Sequence, residues 1–283
     1  MITVKNLSFK YRTFYNDLFE LKNIEFEIKQ NEFVILVGKS GSGKSTLAKI
    51  LAGLYKDYNG SVKIKNEELK KIKDLKDVIS ISFQFPENQF FLDNVIGELA
   101  FGLKIRNYSN EEIIKRIKNV CNIINFPIEK YQCYSPFDLS SGEQRKLGLA
   151  IVLLLDTEII ILDEPLCGID ANGRKQFIKI FENLKTKQNK TIIYITHSPE
   201  EVFYLTDKII ILDKGEIICF SEKEDLINKK IDDENLYNYL PENFYYVNKY
   251  RKEGIKFEKN YYSPKNLVKE LIKQNYKNIE KIR

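Results

Sequence analysis

The sequence predicts an α/β fold built on a mostly parallel sheet, and three of its features carry that prediction. Short apolar runs alternate with helical patterns along most of the chain. One run, FVILV (Phe33–Val37), leads straight into a glycine-rich loop and then a helix. A later series of such runs returns after a long helical stretch. Strands separated by helices pair in parallel, and a run that is apolar on both faces marks a strand covered on both sides.

In chain order, residues 2–4 and 24–28 read as strands ahead of Phe33–Val37, and residues 45–54 carry a helical period. Asn59-Gly60 is a turn signal, with a further strand expected over residues 61–65. Residues 86–155 are mostly helical in pattern, broken at Pro127 and Pro136, and are expected to form an inserted helical subdomain. Strand patterns resume at 159–162, Thr191–Thr196 and 208–212. Residues 1–220 are therefore expected to form one domain. Beyond Phe220 the composition shifts to Asn, Lys and Tyr, so 221–283 is expected as a small α-rich domain. Near its end Ser263-Pro264 would start a helix carrying Leu267, Val268, Leu271 and Ile272 on one face.

The 283 residues are 43% hydrophobic, enough for a substantial core, and 45 basic against 40 acidic residues leave a charge of +5. From residue 243 onward eleven Lys or Arg stand against four Asp or Glu, so the excess belongs to the tail. The main body carries no nucleic-acid footprint, and no nucleic-acid partner is expected. Cys121, Cys133, Cys167 and Cys219 are widely spaced without a CxxC pair, which suits reduced thiols in a cytosolic protein. Apolar runs such as residues 150–155 are far too short to cross a bilayer.

GKSGSGKST, residues 38–46, fits the GxxxxGK[ST] phosphate loop and lies between a buried strand and a helix, as that loop requires. Gly38, Lys39, Ser40, Gly41, Ser42 and Gly43 would turn backbone N–H groups toward phosphate oxygens, aided by the partial charge of the helix start. Lys44 would reach the β- and γ-phosphates of ATP. Ser45 would ligate Mg²⁺, and Thr46 closes the motif. IIILDEP supplies the second requirement: Asp163 ends an apolar run where it can hold Mg²⁺, and Glu164 can orient and deprotonate an attacking water. The lone histidine, His197, follows the run TIIYIT; by itself it is more readily a core residue than a reacting one.

LSSGEQRK, residues 139–146, adds what most phosphate-loop enzymes lack. With LSSGE standing where LSGGQ is expected, the sequence resembles the ATP-binding cassette (ABC) ATPases. The resemblance implies their phosphate-loop nucleotide-binding fold, with an antiparallel β-subdomain and a helical signature subdomain. It also implies roles: Tyr11 stacks on adenine, Gln84 senses Mg²⁺ and the attacking water, Asp170 ends the D-loop, and His197 is the switch histidine on the γ-phosphate. Ser140, Ser141, Gly142 and Glu143 would act in trans, on ATP held by a second subunit. Ser141 replaces a glycine and Glu143 a glutamine of the pattern. Ser140 and Glu143 stand at capping-box spacing, so Glu143 is expected to fold back onto the helix start while the Ser140 hydroxyl stays available to phosphate.

FQFPENQFF (residues 83–91) and DEPLCGIDANGR (residues 163–174) look like the corresponding segments of the ATPases of energy-coupling factor (ECF) importers, which take up vitamins and metal ions. LPENFYYVNKYRKEGIKF and SPKNLVKELI are similar to their short C-terminal domain, which helps hold two ATPases together. The resemblance implies a second ATPase subunit, in a heterodimer or a homodimer, of which the heterodimer is favoured. It also implies a transmembrane coupling subunit met by Glu87, a substrate-binding membrane subunit, and a place on the cytoplasmic face of the membrane. Alternatives are the ATPase of another ABC importer or exporter, or a soluble ABC protein. Tyr245, Tyr246, Tyr250, Tyr261 and Tyr262 among lysines read as the surface of a small packed appendage.

Overall fold

A computed structural model describes residues 1–11, 20–228, 234–252, 267–269 and 271–272. The chain opens with β1 (Ile2–Lys10) and β2 (Glu20–Ile28), crosses to β3 (Phe33–Val37) and runs through the phosphate loop into α1 (Lys44–Leu51). It then returns as β4 (Asn59–Ile64) and β5 (Glu67–Glu68) before entering β6 (Ile79–Ser82). β1 and β2 exceed the apolar cores read from sequence because antiparallel pairing of β1 with both β2 and β4 recruits their polar residues. α1 begins at Lys44 and ends at Leu51, with Gly53 left-handed just beyond it (φ 74°).

The helical region contains α2 (Val95–Ile105), α3 (Asn110–Ile123), the short α4 (Ile128–Tyr131) and α5 (Ser141–Leu155). Residues 86–89, expected as helix, form a single 3-10 turn that starts on Pro86. Ser109 and Ser140 each open their helix with a complete capping box, to Glu112 and Glu143. β7 (Ile159–Asp163), α6 (Ala171–Thr186), β8 (Thr191–Thr196), β9 (Lys208–Asp213) and β10 (Glu216–Glu222) follow, then α7 (Lys223–Asn228) and α8 (Glu242–Lys252).

Six strands form the main sheet in the order β10-β9-β3-β8-β7-β6, parallel except for the β9–β10 hairpin; β2-β1-β4-β5 form a separate antiparallel sheet. Alternation along β3 splits the interior in two. Phe33, Ile35 and Val37 face α2, α3, α5 and α6, whereas Val34 and Leu36 face α1 and the antiparallel sheet.

The tail shares the first of these cores. Leu226, Tyr239, Leu240, Phe244, Val247 and Leu267 are buried within it, and the Phe244 ring meets Phe203 at 5.0 Å and 71°. Ser263-Pro264 lies outside the described residues. Of the four apolar residues expected on one face, Leu267 is buried and Leu271 partly so, while Val268 and Ile272 are about half exposed. Residues four apart share a helix face, and each of these pairs takes its own.

Candidate functional site

Parallel pairing brings the functional segments to one edge. Val37 stands opposite Thr196, Asp163 opposite Ile195, and Ser82 opposite Leu162. The residues that follow these strand ends therefore converge outside the carboxyl edge of the sheet: Gly38 onward, Glu164, His197 and Gln84. That edge is where open α/β sheets bind ligands.

They border a cleft of about 620 Å³, lined by Ser40, Gly41, Gly43, Lys44, Ser45 and Thr46 on one wall and by Gln84, Asp163, Glu164 and His197 on the other, with Tyr11 at the margin. A cleft of this size suits a nucleotide-sized ligand. Gly38 lies behind this lining, so close to β9 that a Cβ there would stand 2.3 Å from the Leu212 carbonyl oxygen. Ser42 is also turned inward and buried. Gly43, at φ 108°, sets the backbone into the start of α1.

The Lys44 ammonium is buried and donates to the carbonyl oxygens of Gly38 (2.7 Å) and Lys39 (2.9 Å). Burial holds its pKa below the ordinary lysine value, against the opposing pull of Glu164 and Asp163. The Ser45 hydroxyl donates to Asp163 Oδ2 at 2.7 Å. Burial raises the Asp163 pKa; the Ser45 bond works against that, and the neighbouring Glu164 charge adds to it. A hydroxyl and a carboxylate side by side are hard oxygen donors of the kind Mg²⁺ takes from a protein when phosphates and water complete its shell, so this pair fits the ion. Gln84 lines the same cleft on the side of Asp163.

Glu164 adopts φ 49°, a conformation uncommon for a residue with a side chain. Its N–H bonds to the Ile195 carbonyl at 3.0 Å, and its Oε1 lies 2.8 Å from His197 Nδ1. The structure thus joins the only histidine to the carboxylate that follows Asp163. His197 is otherwise largely exposed at the cleft. Tyr11 bonds Thr46 Oγ1 through its hydroxyl at 3.1 Å, and its ring meets Phe9 and Tyr55 edge-on, at 5.1 and 5.8 Å.

Ser140, Ser141, Gly142 and Glu143 do not line this cleft. Ser140 caps α5, accepting from Glu143 N–H, while the Glu143 carboxylate accepts from Ser140 N–H (2.9 Å), from the Ser140 hydroxyl (2.6 Å) and from the Tyr131 hydroxyl. The expectation that the Ser140 hydroxyl stays free is corrected here: its one proton goes to Glu143, because a nearby carboxylate is a stronger acceptor than solvent water. These bonds, Ser140 first and then Tyr131, hold the Glu143 pKa below its ordinary value. Asp170 caps α6 by accepting from Gly173 N–H at 3.0 Å. Glu87 is exposed on the 3-10 turn just after Gln84, near exposed Phe85. Beyond that turn Phe91 is exposed against Phe101 (ring centroids 4.7 Å apart), and Phe137 against buried Phe90 (6.3 Å).

Sequence reasoning passed over Glu98, whose buried carboxylate accepts from the N–H groups of Phe91 and Leu92 and so holds the exposed Phe91 in place. Arg145, Tyr131 and Tyr239 were also unforeseen. Tyr239, in the tail, lies under the Lys39 ammonium of the phosphate loop at 5.9 Å. An acidic residue in the first turn of a mostly apolar helix was the one available signal for Glu98.

Residues 21–167, more than half of the chain, match the family model described as ABC transporter. The energy-coupling factor transporter ATP-binding protein EcfA2 of Clostridium tetani is 34% identical over 279 residues, 96% of each chain. The chain belongs to the energy-coupling factor transporter ATP-binding proteins of the ABC family. EcfA1 of Ligilactobacillus salivarius is also 34% identical, over 98% of each chain, so similarity alone does not separate the two types. Among solved structures, the ATP-binding cassette MJ0796, a dimer in a post-hydrolysis state bound to ADP and Pi, superposes with a TM-score of 0.72 at 28% identity. That match covers 79% of this chain and 99% of the other. The cbiO1 protein of Clostridium perfringens, part of the ABC transporter complex cbiONQ, gives a TM-score of 0.67 at 26% identity, over 87% and 98% of the two chains. ATP hydrolysis is the chemistry of this family, and the cleft holds the charged groups that it needs.

Proposed function

We propose that the chain is one of two ATPase subunits of an ECF-type importer, in a heterodimer, driving uptake of a vitamin or transition-metal ion through membrane subunits. One observation carries the dimeric reading: the signature residues 140–143 stand outside the cleft formed by their own phosphate loop, Asp163, Glu164 and His197. A cleft so built is completed by the signature of a second subunit.

In the cycle that follows, Lys44 exchanges the Gly38 and Lys39 carbonyls for the β- and γ-phosphates of ATP. Ser45 and Asp163 would hold Mg²⁺, with Gln84 near it, and the bound ion would supply positive charge to the phosphates. His197 donates to Glu164 Oε1, and the other carboxylate oxygen, which accepts a long bond from the Thr196 hydroxyl (3.4 Å), keeps a lone pair to accept the proton of the attacking water. Its place at the cleft also suits it to stabilise charge developing on the γ-phosphate. Gly142 N–H and Ser141 would approach the partner's γ-phosphate, and Asp170 would hold the D-loop between the two clefts. Tyr11 would carry the adenine.

Glu87, with exposed Phe85 and Phe91 close to it in the chain, suits contact with a transmembrane coupling subunit, since exposed apolar surface beside polar residues marks a docking surface. Among the described residues no helix is long and apolar enough to cross a membrane, so that contact would hold the chain at the cytoplasmic face. Residues 221–283 are proposed to contact the second ATPase. α8 turns Phe244 and Val247 inward and leaves Tyr245 and Tyr246 exposed.

The test is purification from membranes with Glu164→Gln and Glu87→Lys variants. Glu164→Gln is expected to slow hydrolysis by about 10²–10⁴ with ATP binding retained, and Glu87→Lys to reduce recovery of the membrane subunits with ATP binding intact. Recovery of the chain without a second ATPase or a membrane protein would refute the assignment.

A further inference from the structure

Arg145 is the fifth residue of α5, the helix that begins with the signature. Its Nη1 donates to two backbone carbonyls, Gln84 O at 3.1 Å and Glu164 O at 3.2 Å. That nitrogen carries two hydrogens, so both bonds are satisfied together. Among the described residues Arg145 has no carboxylate within ion-pair distance, and its charge is spent on these carbonyls. The guanidinium also lies along the turn after Glu164, where a Cβ at Gly168 would be 3.7 Å from Arg145 Nε.

The carbonyl it holds belongs to the residue with the unusual backbone. A non-glycine residue at φ 49° persists where its surroundings over-determine it. At Glu164 the surroundings are the Ile195 carbonyl on its N–H, Cys167 N–H (3.2 Å) and Arg145 on its carbonyl, and His197 and the Thr196 hydroxyl (3.4 Å) on its side chain. The second carbonyl held by Arg145 is that of Gln84, three residues before the exposed Glu87.

We infer that Arg145 is a positioning residue for hydrolysis: it fixes the Glu164 peptide, and hence the direction of its carboxylate, and ties that position to the Gln84 segment. A displacement of the Gln84 backbone is transmitted through one planar guanidinium to the residue facing the attacking water, and to the helix that carries the signature. The inference rests on the reading of Glu164 as general base and deepens it.

The test uses the assembled transporter with Arg145→Met, Arg145→Lys and Glu164→Gln, singly and combined, measuring kcat and KM for ATP. Arg145→Met is expected to lower kcat about tenfold, the rate equivalent of one charged hydrogen bond, with KM within about twofold of the parental value. Arg145→Lys, which keeps the charge but reaches fewer acceptors, should restore about half of that loss on a logarithmic scale. On the Glu164→Gln background Arg145→Met should change the residual rate by less than about twofold, since residues acting as a unit are non-additive. An Arg145→Met transporter of parental kcat overturns the inference. So does a rise in KM matching the fall in kcat, or a full tenfold loss on top of Glu164→Gln. If Arg145→Met does not assemble, parental kcat in Arg145→Lys overturns it equally. Parental activity in Glu164→Gln would instead remove the general-base reading beneath it.

Discussion

Replacing Glu143 by glutamine measures what the charged residue in the signature does. Its carboxylate accepts three hydrogen bonds, from Ser140 N–H, the Ser140 hydroxyl and the Tyr131 hydroxyl. A bond to a charged acceptor contributes about 1.5–3 kcal/mol and a neutral one about 0.5–1.5 kcal/mol, so neutralising the acceptor loses about 1 kcal/mol per bond. Three bonds give an upper bound near 3 kcal/mol, which screening at this solvent-facing helix start reduces to about 1 kcal/mol. For a chain of this length that is a fall in Tm of about 2 °C, measurable by differential scanning calorimetry. ATPase activity of the assembled transporter, at saturating ATP, should change less than about threefold, because the carboxylate is engaged by its own helix. An unchanged Tm with a tenfold or greater rise in activity would show that Glu143 faces phosphate across the interface, and would refute this account of the capping box.

Three further outcomes follow from the same geometry. Lys44→Ala should weaken ATP binding at least about tenfold in an equilibrium titration, because a charged donor to phosphate is lost; intact binding with lost turnover would contradict the place given to Lys44. Phe244→Ala should lower stability by about 3–5 kcal/mol in urea unfolding, and Phe244→Leu by less than about 1.5 kcal/mol, given the burial of that ring against Phe203; equal and small effects would mean that the tail does not share the core. The Glu143 pKa is depressed in the folded chain, so its stabilisation is complete above the ordinary glutamate pKa and is lost as pH falls through the depressed value. The Tm gap between the parental chain and Glu143→Gln should therefore hold from about pH 7 to about pH 5 and close below about pH 4; closure near neutrality would contradict the sign.

The nucleotide cleft was legible because its chemistry is local: Gly38–Thr46, Asp163–Glu164 and His197 are each short contiguous segments at the end of an apolar strand. Parallel pairing then placed them side by side. β6 was missed since Ile79–Ser82 alternates isoleucine with serine over only four residues, and Ser80 is accommodated by a bond to Thr157. β10 was missed because its residues are exposed or half-buried along its whole length, as an edge strand allows. Arg145 and Tyr131 were beyond reach for another reason. Their partners, Gln84 and Glu164 for one and Glu143 for the other, become neighbours only when α5 has docked, and no spacing in the sequence encodes that. The helix face misjudged at residues 267–272 shows the limit of periodicity: two adjacent i, i+4 pairs look equivalent until the core selects one.

The shared core of cassette and tail has a consequence for biosynthesis. When residue 222 leaves the ribosome, every strand of the main sheet has been made, yet the buried ring of Phe203 still lacks Phe244 as cover, and its core lacks Val247. At about 5–20 residues per second those residues arrive a few seconds later. During that interval the nascent chain shows an apolar scar beside a finished sheet, and a stalled or prematurely ended message would leave it open.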